Sequence, residues 1–293
     1  MEGERDMCAV EIEKLSDQER SDWEVMCSES YDESGYKGLM DEESYNLICD
    51  ICSCALEGDF EWMLETVMVG SVVVARNERN PEFRRLLKRA YEHAVACGDA
   101  GACCNLANMY HKTSGGGSAE DYARAIEIYE LGADRGSAQA SVNLGYIYYY
   151  GRGVAVDYGK AYECYARAAL MDGNPEAFWK LGDLYAGGRG VRQNDWMAWT
   201  LYSKAYENGR GTGFACRAAH HVADYLLNGI EGKLEPDPER ALELYVEAEL
   251  SYYDAIDAGL TYYSKCLQQA VERQERAREA VREKHRRLRA GEE

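Results

Sequence analysis

The stretch AQASVNLGYIYYYGRGVAVDYGKAYECYARAALMDGNPEA, residues 138–177, decides the fold, because it holds two helical patterns separated by a glycine turn. In the first pattern, Ala140, Leu144 and Tyr148 recur every four residues, which places them on one face of a helix. The glycines of segment 151–153 end that helix, because glycine adopts turn conformations at little steric cost. The first half of the stretch therefore predicts a short amphipathic helix followed by a tight turn.

The second half of the stretch predicts another helix with defined ends. Asp157 suits the N-cap, and Gly173 ends the pattern. Asn174 caps the next helix, and Pro175 suits its first position because the missing N–H is not needed there. The predicted buried face of the second helix consists of Ala161, Tyr165, Ala168 and Ala169.

Copies of this two-helix pattern stand on both sides of the stretch. The first alanines of the four copies lie 38, 37 and 41 residues apart, at Ala102, Ala140, Ala177 and Ala218. One helix pair cannot bury its apolar face alone, so the next pair must cover it. A period of this length built from helix pairs predicts an α-solenoid.

The repeated pattern A-x3-LG-x2-Y-x2-G-x-GV-x2-D-x2-KA-x3-Y-x2-AA-x3-G resembles the Sel-one-like repeat (SLR), a relative of the tetratricopeptide repeat. The second copy matches it nearly residue for residue, the third copy matches well, and the first and fourth match in part. The resemblance implies an all-α, right-handed solenoid of antiparallel helix pairs. It also implies a non-catalytic scaffold or adaptor, because repeats of this family generally assemble protein complexes.

Four regions follow from the pattern. Residues 1–40 form an acidic, partly disordered leader, and residues 41–80 form an N-terminal helical cap. Residues 81–253 form the repeat solenoid, and residues 254–293 form a C-terminal capping helix with a charged tail. The leader is either a solvated segment or an acidic partner-binding arm. The C-terminal helix covers the last repeat, contacts an acidic partner, or joins a second chain as an oligomer.

Charge and hydropathy exclude some classes of partner. The net charge is −19, and residues 1–65 hold twenty Asp or Glu against four Lys or Arg. A protein that binds duplex DNA presents a basic face, so nucleic acid is excluded as the main partner. The most apolar run, at 67–75, is shorter than the about 20 residues that span a bilayer, so no membrane partner is expected. The absence of a signal sequence at the first residues leads us to expect a cytoplasmic protein.

The eleven cysteines predict neither disulfides nor a metal centre. Four of them lie at unmatched repeat positions, namely Cys103, Cys104, Cys164 and Cys216, and we expect reduced thiols there. Cys49, Cys52 and Cys54 resemble half of a zinc site, but no second C-x2-C exists. Buried thiols are therefore the preferred interpretation, and a thiol- or metal-dependent sensor is the alternative.

Small and large residues alternate across each predicted helix pair. Gly145 and Gly182 allow the two helices of a repeat to approach closely, and Ala107 is equivalent to them. Tyr148, Tyr165, Tyr185 and Tyr202 supply large contact areas at recurring positions. The sequence therefore predicts that the two helices of a repeat approach closely at the small residues and that much of the tyrosine content is structural.

A candidate binding groove follows if tetratricopeptide geometry carries over. The residues two before, two after and five after the leucine of each first helix then face an inner concave wall, which suits an extended peptide or a helix of another protein. The alternative for some of them, Trp179 above all, is packing between neighbouring repeats. The predicted groove residues are Asn108, His111, Val142, Tyr146, Tyr149, Trp179, Asp183, His220 and Asp224.

Catalysis has no support in the sequence motifs. The chain has no G-x-S-x-G and no H-E-x-x-H, so no nucleophile with its base and no cofactor can be assigned. The rival interpretation is a hydrolase of the cysteine-rich type found among SLR relatives, but the paired-cysteine pattern of that group is missing. We therefore predict that the protein is not an enzyme.

Overall fold

The computed structural model describes residues 81–96, 98–111, 118–210, 213–257 and 263–291. The predicted leader, the predicted cap and the Cys49–Cys54 cluster lie outside these residues. Within the described part, the chain is built of α-helices joined by short turns. The helices are α1 (Pro81–Ala96), α2 (Ala100–His111), α3 (Ala119–Asp134), α4 (Ala138–Tyr150), α5 (Tyr158–Asp172), α6 (Pro175–Gly187), α7 (Asp195–Asn208), α8 (Gly213–Asn228), α9 (Pro238–Asp257) and α10 (Ser264–Ala290).

The predicted helix ends at the centre of the chain are confirmed. The Asp157 side chain accepts a hydrogen bond from the backbone N–H of Lys160 at the start of α5. Gly173 ends α5 in the left-handed conformation, with φ of 71°. Asn174 then caps α6, and Pro175 is its first residue. These side chains satisfy N–H groups that the first turn of a helix leaves unpaired.

The start of α7 matches the start of α5 in the repeat register. The 37-residue spacing of the two copies aligns Asn194 with Asp157, and Asn194 is the cap of α7. The Asn194 Oδ1 atom accepts a hydrogen bond of 3.1 Å from the N–H of Met197. Asp195 lies in the first turn, where its negative charge interacts favourably with the helix dipole.

The described helices fall into two compact units, and the boundary between them follows Ala140 inside α4. In the first unit, α1 packs on α2, and α2 packs on α3. In the second unit, each helix from α5 to α10 packs on the next one. The first helices α6 and α8 also contact each other directly, as stacked repeats require.

The predicted close approach of the two helices at Gly145 and Gly182 is present, and the side chain that each glycine meets is a tyrosine. A Cβ atom on Gly145 of α4 would lie 2.5 Å from Cε1 of Tyr165 on α5. A Cβ atom on Gly182 of α6 would lie 2.6 Å from Cε1 of Tyr202 on α7. Both tyrosine rings are buried. The two helices of these repeats therefore approach each other more closely than any residue with a side chain would allow.

The last helix covers the fourth repeat. The buried side of α10 consists of Ala270, Gln274 and Ala277, and the helix packs along α9. This packing agrees with a capping role, and contact with an acidic partner and an oligomer through α10 stay predictions. The predicted boundary between residues 253 and 254 lies inside α9, which continues to Asp257.

Burial agrees with the expectation of buried cysteines in the repeats. Cys103, Cys104 and Cys216 are buried and are not part of a disulfide, and burial raises the pKa of Cys216 to about 11. Such a thiol stays protonated and unreactive at neutral pH. Within the described ranges, none of the helices combines the length and the apolarity needed to cross a membrane.

Candidate functional site

A buried lysine joins α4 and α6 on the side formed by the first helices. Lys180 is only 3% exposed, and its Nζ atom lies 2.9 Å from Oδ2 of Asp183. The same Nζ atom lies 3.9 Å from the ring centroid of Trp179, 5.4 Å from that of Tyr146 and 5.3 Å from that of Tyr149. The ammonium is thus held by one carboxylate and three aromatic rings.

Lys180 was not among the predicted groove residues, although the repeats carry a signal for its position. In every copy a polar residue stands immediately before the leucine or valine of the first helix. Apolar residues would be expected at a position that is entirely in the core. The residues at this position are Asn105, Asn143, Lys180 and His221.

An aromatic contact joins α6 and α8 on the same side. The Trp179 ring lies 6.5 Å from the His221 ring, and the His221 ring stacks on Tyr202 at 4.5 Å. Burial lowers the pKa of His221, which favours the neutral imidazole in this stack. We call Tyr146, Trp179, Asp183, His221 and Asp224 the inner cluster.

The tyrosines of the second helices bind to one recurring position on the first helices. Tyr202 donates a hydrogen bond of 2.9 Å to Oδ1 of Asp183. Tyr245 donates one of 2.6 Å to Oδ1 of Asp224. In the first unit, Tyr129 donates one of 2.7 Å to Oδ1 of Asn108. Three predicted groove residues therefore hold the two helices of their own repeat together.

The second repeat breaks this rule. Tyr146 occupies the acceptor position there. Its hydroxyl donates a hydrogen bond of 2.6 Å to Oε1 of Glu176. The Tyr165 hydroxyl is buried and has no hydrogen-bond partner among the described residues. The pKa of Tyr146 is raised, mainly by burial and secondly by the nearby Glu176 carboxylate. The hydroxyl therefore stays protonated and can donate a hydrogen bond. Tyr146 therefore directs its hydroxyl at α6, the first helix of the next repeat, rather than at the second helix of its own repeat.

We expect Tyr165→Phe to leave the free energy of unfolding unchanged or to raise it by up to about 1 kcal/mol, because an unsatisfied buried hydroxyl is removed. The matched variant Tyr202→Phe removes a hydrogen bond to a carboxylate and should cost about 1.5–3 kcal/mol. Urea denaturation at pH 7 measures both changes. Equal losses in the two variants would show that Tyr165 has a partner.

Burial corrects part of the predicted groove. Val142 is 0% exposed, so it lies in the core and cannot meet a partner. Tyr149 is buried too, and Arg189 donates a hydrogen bond to its hydroxyl. His220 is 5% exposed, and burial lowers its pKa to about 3. The tetratricopeptide analogy placed these side chains in an open wall, but neighbouring helices cover them.

The remaining predicted residues are half-buried. Tyr146, Trp179, Asp183 and Asp224 belong to the inner cluster of the second unit. Asn108 and His111 lie on α2 of the first unit, where the His111 ring meets the Tyr122 ring edge-on at 5.6 Å. Which of these residues a partner contacts stays a prediction.

The C-terminal helix reaches the inner cluster. Arg273 of α10 lies 2.6 Å from Oδ2 of Asp224 on α8. Asp224 therefore binds a tyrosine of its own repeat and an arginine of the cap, which leaves it less able to bind a partner. Among the described residues, no group of three His, Cys, Asp or Glu side chains is arranged to hold a metal ion.

These features define a class of protein: an all-α solenoid of stacked helix pairs, with an aromatic and polar face on its first helices. The Sel1 repeat model matches residues 100–137, 138–173, 175–209 and 216–249. The chain belongs to the Sel1 repeat family. Proteins of this family generally mediate protein–protein interaction through a fold that is generally non-catalytic.

Curated relatives match over part of the chain. The chain is 32% identical over 99 residues to an exopolysaccharide production negative regulator of Rhizobium leguminosarum bv. viciae; the match covers 32% of this chain and 37% of the regulator. It is 33% identical over 89 residues to protein sel-1 homolog 2 of Rattus norvegicus; this match covers 30% of this chain and 13% of the rat protein. The matches therefore span well under two thirds of either relative.

A solved structure supports the fold. The crystal structure of a protective antigen present in uropathogenic Escherichia coli strains, which displays an SLR fold, superposes with a TM-score of 0.52. The alignment covers 81% of this chain and 52% of the antigen, at 24% sequence identity. Similarity at this level shows the fold alone.

Proposed function

We propose that this protein is a non-catalytic adaptor that binds an extended segment of another protein on the inner cluster of its second unit. The observation that carries the proposal is the joining of three first helices, α4, α6 and α8, by half-buried aromatic and charged side chains. Trp179 contacts Lys180 on its own helix and His221 on the next first helix. Tryptophan, tyrosine and arginine dominate the binding energy of protein interfaces, so this face is suited to a protein partner.

The relatives support the same proposal. One of them is named as a negative regulator of exopolysaccharide production, and regulation by binding needs no catalytic residues. Fold similarity alone does not establish function, so the proposal rests on the inner cluster. We further propose a cytoplasmic location, which the free thiols of the described repeats support.

The experiment compares two double variants in affinity capture from the native host extract, followed by binding measurements with the purified captured partner. Tyr146→Ala/Trp179→Ala removes one tyrosine and one tryptophan from the inner cluster. Tyr162→Ala/Trp196→Ala is the matched control, since it removes the same residue types from the second helices α5 and α7. We expect the first variant to weaken partner binding by at least about tenfold, the loss typical of interface aromatic residues.

Circular dichroism and urea denaturation must show that both double variants remain folded at the assay temperature. Equal binding of the partner by the wild type and by the inner-cluster variant would place the interface elsewhere. Loss of binding in the second-helix control alone would contradict the proposed face in the same way.

A further inference from the structure

A cavity of about 290 Å³ lies in the second unit, between α6, α8, α9 and α10. Its floor consists of His220 and Tyr252, which are 5% and 2% exposed. Half-buried side chains form its rim, namely Trp179, Arg217, His221, Cys266, Gln269 and Arg273. Because the rim is only half-buried, the cavity is open to solvent on that side and a ligand can enter it.

The floor of the cavity consists of two uncharged rings. The Tyr252 ring stacks on the Tyr263 ring with the centroids 5.5 Å apart, and it lies 6.4 Å from the His220 ring. Burial lowers the pKa of His220 to about 3, so its imidazole is neutral at pH 7. A ligand that reaches the floor therefore meets aromatic surface without charge.

The two arginines of the rim disfavour ionised side chains. Arg273 is paired with Asp224, at 2.6 Å from its Oδ2 atom. The Arg217 guanidinium lies over the Trp179 ring at 5.2 Å and over the Tyr263 ring at 4.8 Å. An acidic side chain would have to compete with Asp224 for Arg273, and a basic one would be repelled by both guanidiniums. The rings of the cavity wall thus favour an apolar side chain.

Size and surroundings favour an aromatic ring over an aliphatic side chain. A cavity of about 150 Å³ suffices to hold one benzene molecule, so a cavity of about 290 Å³ admits the aromatic side chain of a peptide. The face of such a ring attracts guanidinium groups, and its edge packs well against the faces of other rings. An aliphatic side chain of equal size would gain the burial but neither of these contacts.

We propose that this cavity is a specificity subsite for one phenylalanine side chain of the partner segment. The inference rests on the proposed function, because Trp179 and His221 belong both to the inner cluster and to the rim of the cavity. A segment that lies on the inner cluster reaches the cavity at these two residues. Its phenylalanine ring then packs on the floor formed by His220 and Tyr252.

The test titrates the wild-type protein with four peptides that differ only in the central residue. The probes are Ac-Ala-Ala-Phe-Ala-Ala-NH2 and the same peptide with cyclohexylalanine, alanine or glutamate at the centre. Cyclohexylalanine has nearly the size of phenylalanine but no aromatic electrons, so this pair separates the ring effect from burial. The indole N–H signal of Trp179, assigned with the variant Trp179→Phe, measures binding by NMR.

We expect the Phe peptide to bind at least about tenfold more tightly than the Ala peptide, as the burial of an aromatic side chain predicts. It should also bind about threefold to tenfold more tightly than the cyclohexylalanine peptide, because only an aromatic ring makes the edge-to-face contacts. The Glu peptide should bind no better than the Ala peptide.

Two matched variants of α10 test the cavity itself. Gln269→Phe places a ring in the cavity from its rim and should weaken binding of the Phe peptide at least about tenfold. Gln268→Phe makes the same substitution one residue earlier, at an exposed position, and should retain the wild-type affinity. Circular dichroism and the melting temperature must show that both variants are folded; the comparison of the four peptides needs no variant.

Equal affinity for the Phe and Ala peptides would overturn the inference. Equal affinity for the Phe and cyclohexylalanine peptides would show a site without preference for aromatic rings, and tighter binding of the Glu peptide would show a site for anions; both would also overturn it. Undiminished binding of the Phe peptide by Gln269→Phe would place that peptide outside the cavity.

The captured partner separates this inference from the proposed function. The proposed function fails if Tyr146→Ala/Trp179→Ala leaves partner binding unchanged. The subsite fails while the proposed function stands if that double variant loses the partner but Gln269→Phe binds it as tightly as the wild type does.

Discussion

Asp183→Ala should lower the free energy of unfolding by about 3–5 kcal/mol, the cost measured when one member of a buried ion pair is removed. The substitution leaves the Lys180 ammonium, 3% exposed, without its carboxylate. It also leaves the Tyr202 hydroxyl without its acceptor. The aromatic rings around Lys180 offset only part of this loss, because a cation–π contact contributes about 0.5–2 kcal/mol. Urea denaturation at pH 7 and 25 °C measures the change.

The matched variants separate charge from packing. Asp183→Asn keeps an acceptor for Tyr202 but removes the negative charge, so it should cost less than Asp183→Ala. Adding Lys180→Met to Asp183→Ala removes the unpaired cation and should restore a large part of the stability. An Asp183→Ala variant as stable as the wild type would show that Lys180 reaches solvent when it is unpaired.

This expectation affects how binding experiments are interpreted. Asp183 was predicted as a groove residue from its repeat position, and an alanine scan of the groove would include it. A loss of partner binding in Asp183→Ala would then report a damaged repeat rather than a lost contact. Tyr146 and Trp179 are better probes of the interface, because neither of them neutralises a buried charge.

The features predicted correctly from the sequence are those that recur at short range. Each copy contains its own helix caps and turn glycines, and the period of the copies indicates the stacking. The close helix approach at Gly145 was predicted because a small residue recurs at that position, as Gly182 and Ala107, whereas the contact of Gly145 with Tyr165 was found only in the structure. Repetition supplies several independent observations of one geometry, which a single copy cannot do.

The candidate site was harder to predict, because it depends on which side chains neighbouring helices cover. Val142 and His220 hold the same repeat position as Trp179, yet the first two are buried and Trp179 is half-buried. A position rule taken from a related repeat cannot distinguish these cases. The pairing of Asp224 with Arg273 was also not predictable, because α10 lies outside the repeats and carries no periodic signal.

Gly145→Val should lower the free energy of unfolding by about 1–3 kcal/mol, as overpacking of a well-packed core typically does. The new Cβ would lie 2.5, 2.8 and 2.9 Å from Cε1, Cδ1 and Cζ of Tyr165, and these distances are too short for carbon atoms in contact. Tyr165 cannot move away easily, because its ring is 0% exposed. Valine suits a helix only slightly better than glycine does, so the gain in helix propensity offsets a few tenths of a kcal/mol at most.

The controls for Gly145→Val come from the repeats themselves. Ala107 and Ala223 occupy the equivalent position in the first and fourth copies, so one methyl group is compatible with the fold and Gly145→Ala should cost less. Gly159 lies exposed in the first turn of α5, and Gly159→Val should change stability by no more than about 0.5 kcal/mol. In a Tyr165→Leu background, Gly145→Val should be better tolerated, because the clashing ring atoms are absent. If the glycine substitution costs the same in both backgrounds, the loss arises in the α4 backbone and not in the contact between the two helices.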